Sequence, residues 1–403
     1  MKTTLPWRGL LILSLSLSGC ASKDHAQPLT NDAYIWQRRW SNAVLSALKT
    51  SASSIRVWRV LAAEAESKAG LTTFAVDRQA LRETGNPVIA VIRIDGRSDS
   101  TQLSDNLAAA SVALANDWNK DGLPVHGVEI DYDCALNRLA RYRDFLRQLR
   151  AHMPPEMTLS ITALPSWRES NDLPQVLAEV DETVLQVHSV MSPSKGLFDR
   201  TTAYKWAQAW SGVSSKPFRL ALPTYWSRVT WNGDGRVVSI ESETARYGSE
   251  GTGREILVEP KEVAAFLADL HRAPPPHLTG IAWFRLPTAA DQRAWSSQTW
   301  RAIMLGQPLH ASLPGVRFGE DQSGARNVYL QNQGGLDAKL PSRVSISGHG
   351  CEFADAMAPY SVERQTKLIE FRLRSDNLLR SGEQKLIGWV RCTGTHLGAH
   401  VSF

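Results

Sequence analysis

The stretch Val125-His126-Gly127-Val128-Glu129-Ile130-Asp131-Tyr132-Asp133-Cys134 carries three acids at alternate positions. In a β-strand that spacing puts Glu129, Asp131 and Asp133 on one face and Val128, Ile130 and Tyr132 on the other. Apolar sequence flanks the run, so the strand is expected to be buried. Buried carboxylates need counter-charges, shared protons or hydrogen bonds. Two carboxyls two residues apart start about 6.5–7 Å apart at Cα, from a rise of about 3.3 Å per residue. They can converge on one proton, which raises one pKa and depresses the other. A carboxylic acid kept protonated beside a carboxylate is what glycosidic-bond cleavage requires. One of the pair can then serve as general acid, and Asp133 is the member nearest the C-terminal end of the strand. Asp131 is the expected partner, and Glu129 the deepest member, paired with Arg93.

Other segments offer side chains that parity aims at the same space. These are Arg93 with Asp95, Ser160 with Thr162, Gln186 with His188, and Trp283 with Arg285. The chain has 14 Trp, and a flat aromatic face stacks well on a sugar ring. Trp167, Tyr225 and Trp226 follow strand-like runs and are expected sugar platforms. The expected substrate-binding set is therefore Glu129, Trp283, Arg285, His188, Gln186, Tyr225, Trp226 and Trp167. His188 is the one inward histidine, so neither a metal site nor a cofactor is expected.

The elements that would carry these residues alternate along the chain. Eight strand-helix units run from about residue 31 to residue 307, which matches an α/β fold of the (β/α)₈ TIM barrel type in count and size. The strands are expected at 33–40, 54–62, 88–95, 125–134, 157–164, 183–190, 218–225 and 280–286. A doubly wound sheet would need a Gly-rich phosphate loop after strand one, and none is present. Barrel active sites sit at the C-terminal strand ends, where Asp133 falls. The segment 226–260, with Asn232-Gly233-Asp234-Gly235 as a hairpin turn, is expected to cover the mouth. Residues 308–403 lose helical periodicity and read as a small antiparallel β-sandwich, with Cys351 and Cys392 expected to pair and Cys134 free.

The N-terminus reads as an export signal. Lys2 and Arg8 precede the apolar run 10–17, and Leu17-Ser18-Gly19-Cys20 is a lipobox. Residues 1–19 would be removed, Cys20 would carry lipid, and 20–30 would be a tether to the membrane. No Asp follows Cys20, which points to the periplasmic face of a Gram-negative outer membrane. The formal charge is +5, and no basic cluster or aromatic-basic motif of a nucleic-acid binder occurs.

His126-Gly127-Val128-Glu129-Ile130-Asp131-Tyr132-Asp133 resembles the strand-four signature of family 18 glycoside hydrolases, Asp-Gly-x-Asp-x-Asp-x-Glu. Those enzymes are (β/α)₈ barrels that cleave N-acetylglucosamine polymers. The resemblance implies that Asp133 stands at their acid, Asp131 at the Asp that orients the acetamido group, and Trp283 at the Trp of the sugar-site floor. The chain departs from the pattern at His126, at Asp133 (one methylene shorter than Glu), and at Gln186-Val187-His188-Ser189, where Met-x-Tyr-Asp is usual. Over its length the chain is more similar to a family of bacterial lipoproteins known only as a domain of unknown function. Tyr34-Ile35-Trp36-Gln37-Arg38, Gly127 to Asp133, and Ala282-Trp283-Phe284-Arg285-Leu286-Pro287 carry that likeness. The expected function is processing of a polysaccharide or peptidoglycan-type glycan. The alternatives are a catalytically inactive glycan-binding barrel, or a structural envelope lipoprotein whose C-terminal module docks a protein partner.

Overall fold

The computed structural model describes residues 28–66, 70–96, 103–188, 196–241, 252–310, 313–365, 368–394 and 396–403. The export signal, Cys20 and most of the tether lie outside these residues.

The chain opens with β1 (Thr30–Ile35), α1 (Asn42–Ser51) and β2 (Val57–Glu66), to which β3 (Gly70–Thr73) returns antiparallel. Then follow α2 (Arg78–Thr84), β4 (Val88–Ile94), α3 (Asp105–Lys120), β5 (Val125–Tyr132), α4 (Leu139–His152) and β6 (Thr158–Ala163). Next are α5 (Leu173–Ala178), β7 (Glu182–Gln186), α6 (Arg200–Ser211) and β8 (Phe218–Pro223). The strands β1, β2, β4, β5, β6, β7 and β8, with β12 (Leu278–Phe284), pair in parallel in the order β1-β12-β8-β7-β6-β5-β4-β2. A β1–β2 pairing closes the ring, so the barrel has eight strands.

Local chemistry sets the helix ends. Asp77 and Ser104 accept the Ala80 and Leu107 amides at the starts of α2 and α3, filling backbone donors that a helix start leaves open. Gly85 ends α2 with φ 72°, a left-handed turn that glycine enters at no steric cost. On α4, Leu139, Tyr142, Phe145, Leu146 and Leu149 lie at helical spacing and are all buried against the barrel wall. Val128, Ile130 and Tyr132 of β5 face that helix layer.

Between β8 and the helix α7 (Pro260–Arg272) lies a separate antiparallel sheet. Its middle strand β9 (Ser227–Trp231) pairs with β10 (Val237–Glu241) and β11 (Thr252–Ile256). The expected turn is present: the Asn232 carboxamide accepts the Asp234 and Arg236 amides. Val229, Ile256 and Val258 join the main core. The segment is thus a packed three-stranded sheet rather than a lone hairpin. The last barrel helix, expected over 289–305, is only α8 (Ser297–Met304). Residues before it are held extended instead, because Tyr225 bridges Ala294 and the Trp226 and Trp295 amides bond Arg293 and Thr224 carbonyls.

The remaining strands are antiparallel. They are β13 (Gly315–Phe318), β14 (Ala325–Gln331), β15 (Ala338–Lys339), β16 (Arg343–Gly348) and β17 (Cys351–Ala356), then β18 (Tyr360–Gln365), β19 (Leu368–Leu373), β20 (Leu378–Leu379), β21 (Gln384–Cys392) and β22 (Leu397–Ser402). Two four-stranded sheets, β13-β14-β21-β17 and β18-β19-β16-β22, enclose a second core around Val328, Val344, Ile346, Phe371 and Val390. Cys351 and Cys392 stand opposite in register on β17 and β21 and form a disulfide.

Candidate active site

The barrel interior is charged at its floor. Arg59 of β2 is fully buried and bonds three acids: Asp32 at 3.0 Å, Glu129 and Glu182. Arg219 of β8 reaches Glu182 at 3.0 Å and Asp32 at 3.1 Å. Glu129 also accepts the Tyr34 hydroxyl at 2.6 Å and the Ser160 hydroxyl at 2.8 Å. Burial pushes the Glu129 carboxyl up, against the opposing pull of Arg59 and the two hydroxyls. Its partner at the other end of the guanidinium moves the opposite way. Glu182 is held below the usual carboxyl range by Arg59 and Arg219, which outweigh its own burial. Glu129 is closed off from the mouth with every neighbour engaged, so it is a floor residue and not a substrate contact. Its arginine is Arg59, two strands away, and not Arg93.

Above the floor lies an apolar belt of Tyr34, Leu61, Val91, Val184, Ala221 and Ala282. The other two strand-four acids stand higher. Asp131 is partly buried and accepts the Thr162 hydroxyl at 2.7 Å. Burial and the neighbouring Asp133 carboxylate raise it to about 7. Asp133 is exposed at the mouth and accepts the Gln186 amide at 2.8 Å. Desolvation within the mouth raises its carboxyl too, while Gln186 and Arg93 work against the shift. Asp133 can stand here because Gly96 has no side chain: a Cβ at 96 would lie 2.4 Å from the Asp133 carbonyl oxygen.

Arg93 projects over Trp36, 5.8 Å from the ring centre, and lies 3.6 Å from Glu64. Its charge favours the ionised forms of both Asp131 and Asp133. His188 sits across the mouth, its Nδ1 3.3 Å from the Ala221 carbonyl oxygen. Burial lowers the imidazole to about 4, so the ring is neutral near pH 7 and donates from Nδ1.

The aromatic residues are rearranged relative to expectation. Trp283 faces outward: it is fully buried, its indole donates to Asn31 at 2.9 Å, and its ring lies 6.3 Å from Trp300. Phe284 takes the inward position, stacked on His188 at 5.9 Å and edge-on to Trp36 at 4.9 Å. Parity on β12 is thus one residue out of step with the sequence reading, and a one-residue slip exchanges the two faces. Trp167 is buried beside Tyr142 with its indole on the Cys134 carbonyl, and Trp226 is buried in the main core. Neither is an open platform. Tyr225 lines the mouth from below, edge-on to His188 and Phe284. Arg285 is buried over the Tyr225 ring and bonds Asp291 at 3.0 Å, which removes it from the acids. Trp36 and Phe284 are mouth aromatics that parity on β1 and β12 offers. Cys134 is buried and free, its thiol pushed up to about 12 by burial.

The fold and this interior define a closed (β/α)₈ barrel with an acidic mouth. Its matches among sequence families sharpen that class. Residues 84–289 match the family described as Domain of unknown function (DUF3142), which is half of the chain, and the chain belongs to that family. Residues 316–393 match a second family, described as Domain of unknown function (DUF8456). No curated protein matches the chain. Among solved structures, the spore cortex-lytic enzyme SleL of Bacillus megaterium QM B1551 is similar over 70% of this chain and 76% of its own, at 11% identity and a TM-score of 0.50. SleL of Bacillus cereus is similar over 70% and 75%, at 12% identity and a TM-score of 0.49. A chitinase from Chromobacterium violaceum ATCC 12472 is similar over 70% and 100%, at 12% identity and a TM-score of 0.48. The likeness is one of fold, the (β/α)₈ barrel.

Proposed function

We propose that the barrel cleaves glycosidic bonds in a polysaccharide or peptidoglycan-type glycan, with Asp133 as general acid. The observation that carries this reading is the Asp131–Asp133 pair: two carboxyls on one strand face, both raised, one open to solvent and one held by Thr162. Burial raises both carboxyls, and in this reading the proton the pair retains is delivered to the leaving oxygen from Asp133, the member at the mouth. Gln186 holds one of its oxygens and leaves the other free to face a substrate. Asp131, ionised once the proton has moved, faces the positive charge that develops at the sugar carbon. Trp36 and Phe284 supply apolar walls, and neutral His188 adds a polar edge.

The test is turnover on N-acetylated glycans, peptidoglycan fragments and acidic exopolysaccharides. Asp133→Asn should lower kcat by about 10²–10⁴-fold, the usual worth of a positioned general acid. Equal product release by the variant, or none above blank from the wild type, rejects the reading. A second reading is a barrel that binds glycan without cleaving it. It is favoured by the short acid, Asp rather than Glu, and by the burial of Trp167, Trp226 and Trp283. It predicts saturable binding with no product, weakened in Phe284→Ala.

We further propose that the protein works in the envelope, anchored through lipid on Cys20. The Cys351–Cys392 disulfide supports an oxidising compartment. Metabolic labelling with a fatty acid tests this: the wild type should fractionate with membranes and incorporate label, and Cys20→Ser should incorporate none.

A further inference from the structure

The sheet β13-β14-β21-β17 packs one face on the sandwich core and turns the other away. Val328, Leu330, Ala354 and Val390 are on the core side. On the opposite side, register sets Asn327 beside Trp389 and Trp389 beside Asp355; the next row sets Arg391 beside Phe353. Tyr329 stands two residues along from Asn327, opposite Arg317 on β13. Tyr329, Trp389 and Phe353 therefore cross three strands on a diagonal, with neighbours about 7–8 Å apart. Phe353 is 49% exposed, Tyr329 and Trp389 are partly exposed, and none of the three packs into either hydrophobic core. The Trp389 indole has no hydrogen-bond partner among the described residues.

Two cations flank this line. Arg317 and Arg391 are exposed, and among the described residues neither forms an ion pair; Arg317 donates only to the Gln384 amide oxygen, at 3.1 Å. Of the register-paired positions only Asp355 is a carboxylate, and it accepts its neighbour Ala356's amide; exposed Glu352 lies in the bulge beside Phe353. Two arginines without ion-pair partners among the described residues thus stand beside an aromatic stripe. The junction to the barrel uses other residues, chiefly Asp337, Lys339 and Arg380.

We propose that this face binds a linear, carboxylate-bearing polysaccharide. Aromatic rings at intervals along a line offer stacking positions to successive sugars of one chain. The fork of an unpaired arginine matches a carboxylate in two parallel hydrogen bonds. The site lies outside the barrel and does not rest on the cleavage reading.

The test is affinity electrophoresis of the whole protein through gels containing polygalacturonate, neutral hydroxyethylcellulose or dextran sulfate. An Asp133→Asn background keeps barrel turnover out of the readout. Polygalacturonate should retard the protein strongly and hydroxyethylcellulose weakly. Trp389→Ala should weaken retention by at least about tenfold, and Trp389→Phe should restore most of it. Arg317→Gln with Arg391→Gln should erase the preference for the acidic over the neutral polymer. Because both arginines are exposed, that pair reports even if Trp389→Ala fails to fold. The proposal is overturned by no retardation, by equal retention of wild type and the arginine pair, or by dextran sulfate retarding the protein as well as polygalacturonate does, which would mean polyanion attraction alone.

Discussion

Asp131 and Asp133 are two residues apart on one strand, yet the barrel gives them different surroundings. Asp131 is set down among Thr162, the apolar belt and its acidic neighbour, whereas Asp133 meets solvent. Burial and the Asp133 charge hold a proton on Asp131 up to about pH 7, far above the 3.8 of a free aspartate side chain. Between those values the native state binds a proton that the unfolded chain has released, so stability falls as pH rises from about 4 to about 7. Asp131→Asn removes that dependence while keeping an oxygen for Thr162. Its thermal midpoint should match the wild type near pH 4 and exceed it progressively toward pH 7–8. Melting curves at four pH values check this, and a constant offset would mean that Asp131 is ionised throughout. The acids themselves were legible in the sequence because strict alternation with Val128, Ile130 and Tyr132 leaves one way to face them. Their counter-ion was not. Arg93 is adjacent on the neighbouring strand, but Arg59 reaches Glu129 across the floor from β2. The available signal was a charge set among apolar residues in each of three strands, Asp32, Arg59 and Arg219, which only barrel closure brings together.

At the scale of the strand, β12 shows why register resists sequence reading. Gly280-Ile281-Ala282-Trp283-Phe284 has no polar residue to mark a face, so either parity satisfies the hydrophobic pattern. Packing decides it: Trp283 fits against Trp300 and Asn31, and the smaller Phe284 fits among Trp36, Tyr225 and His188. The two positions should therefore respond differently to truncation. Trp283→Ala empties a fully buried site and should cost about 3–5 kcal/mol of stability. Glycan binding by the folded fraction should stay near wild type. Phe284→Ala removes a mouth wall and should raise KM, or weaken binding, by about tenfold at a smaller stability cost. Urea unfolding alongside titration with soluble oligosaccharides separates the outcomes. Weakened binding in Trp283→Ala with stability intact would restore the inward register for that tryptophan. The helix layer needed less from packing, since α4 carries its apolar stripe and α3 its Ser104 cap in the sequence itself.

The whole molecule is joined through a small polar hub. Asp337, almost fully buried, accepts the Ser296 amide at 2.7 Å, the Ser296 hydroxyl at 2.7 Å and the Ser381 amide at 2.8 Å. Ser296 caps α8, so the carboxylate also sits at the positive end of the last barrel helix. Arg380 reinforces the junction by donating to the carbonyls of Ala289, Asp291 and Ala294. The change from helical to alternating pattern near residue 308 revealed the second unit. The hub could not be read, because Asp337 lies in a turn-rich stretch with no periodicity and its partners are 41 and 44 residues away. Hydrogen bonds to a charged group are worth about 1.5–3 kcal/mol, and losing the acceptor strands two amides in a buried junction. Asp337→Ala should therefore cost on the order of 3 kcal/mol. It should also uncouple the halves, so that calorimetry resolves two transitions where the wild type shows one. Reducing the Cys351–Cys392 bridge, which closes a 41-residue separation, should lower only the sandwich transition in that variant, by about 4 kcal/mol on loop-closure grounds. A single transition that shifts as a whole under both changes would instead show that apolar contacts, and not Asp337, couple the sandwich to the barrel.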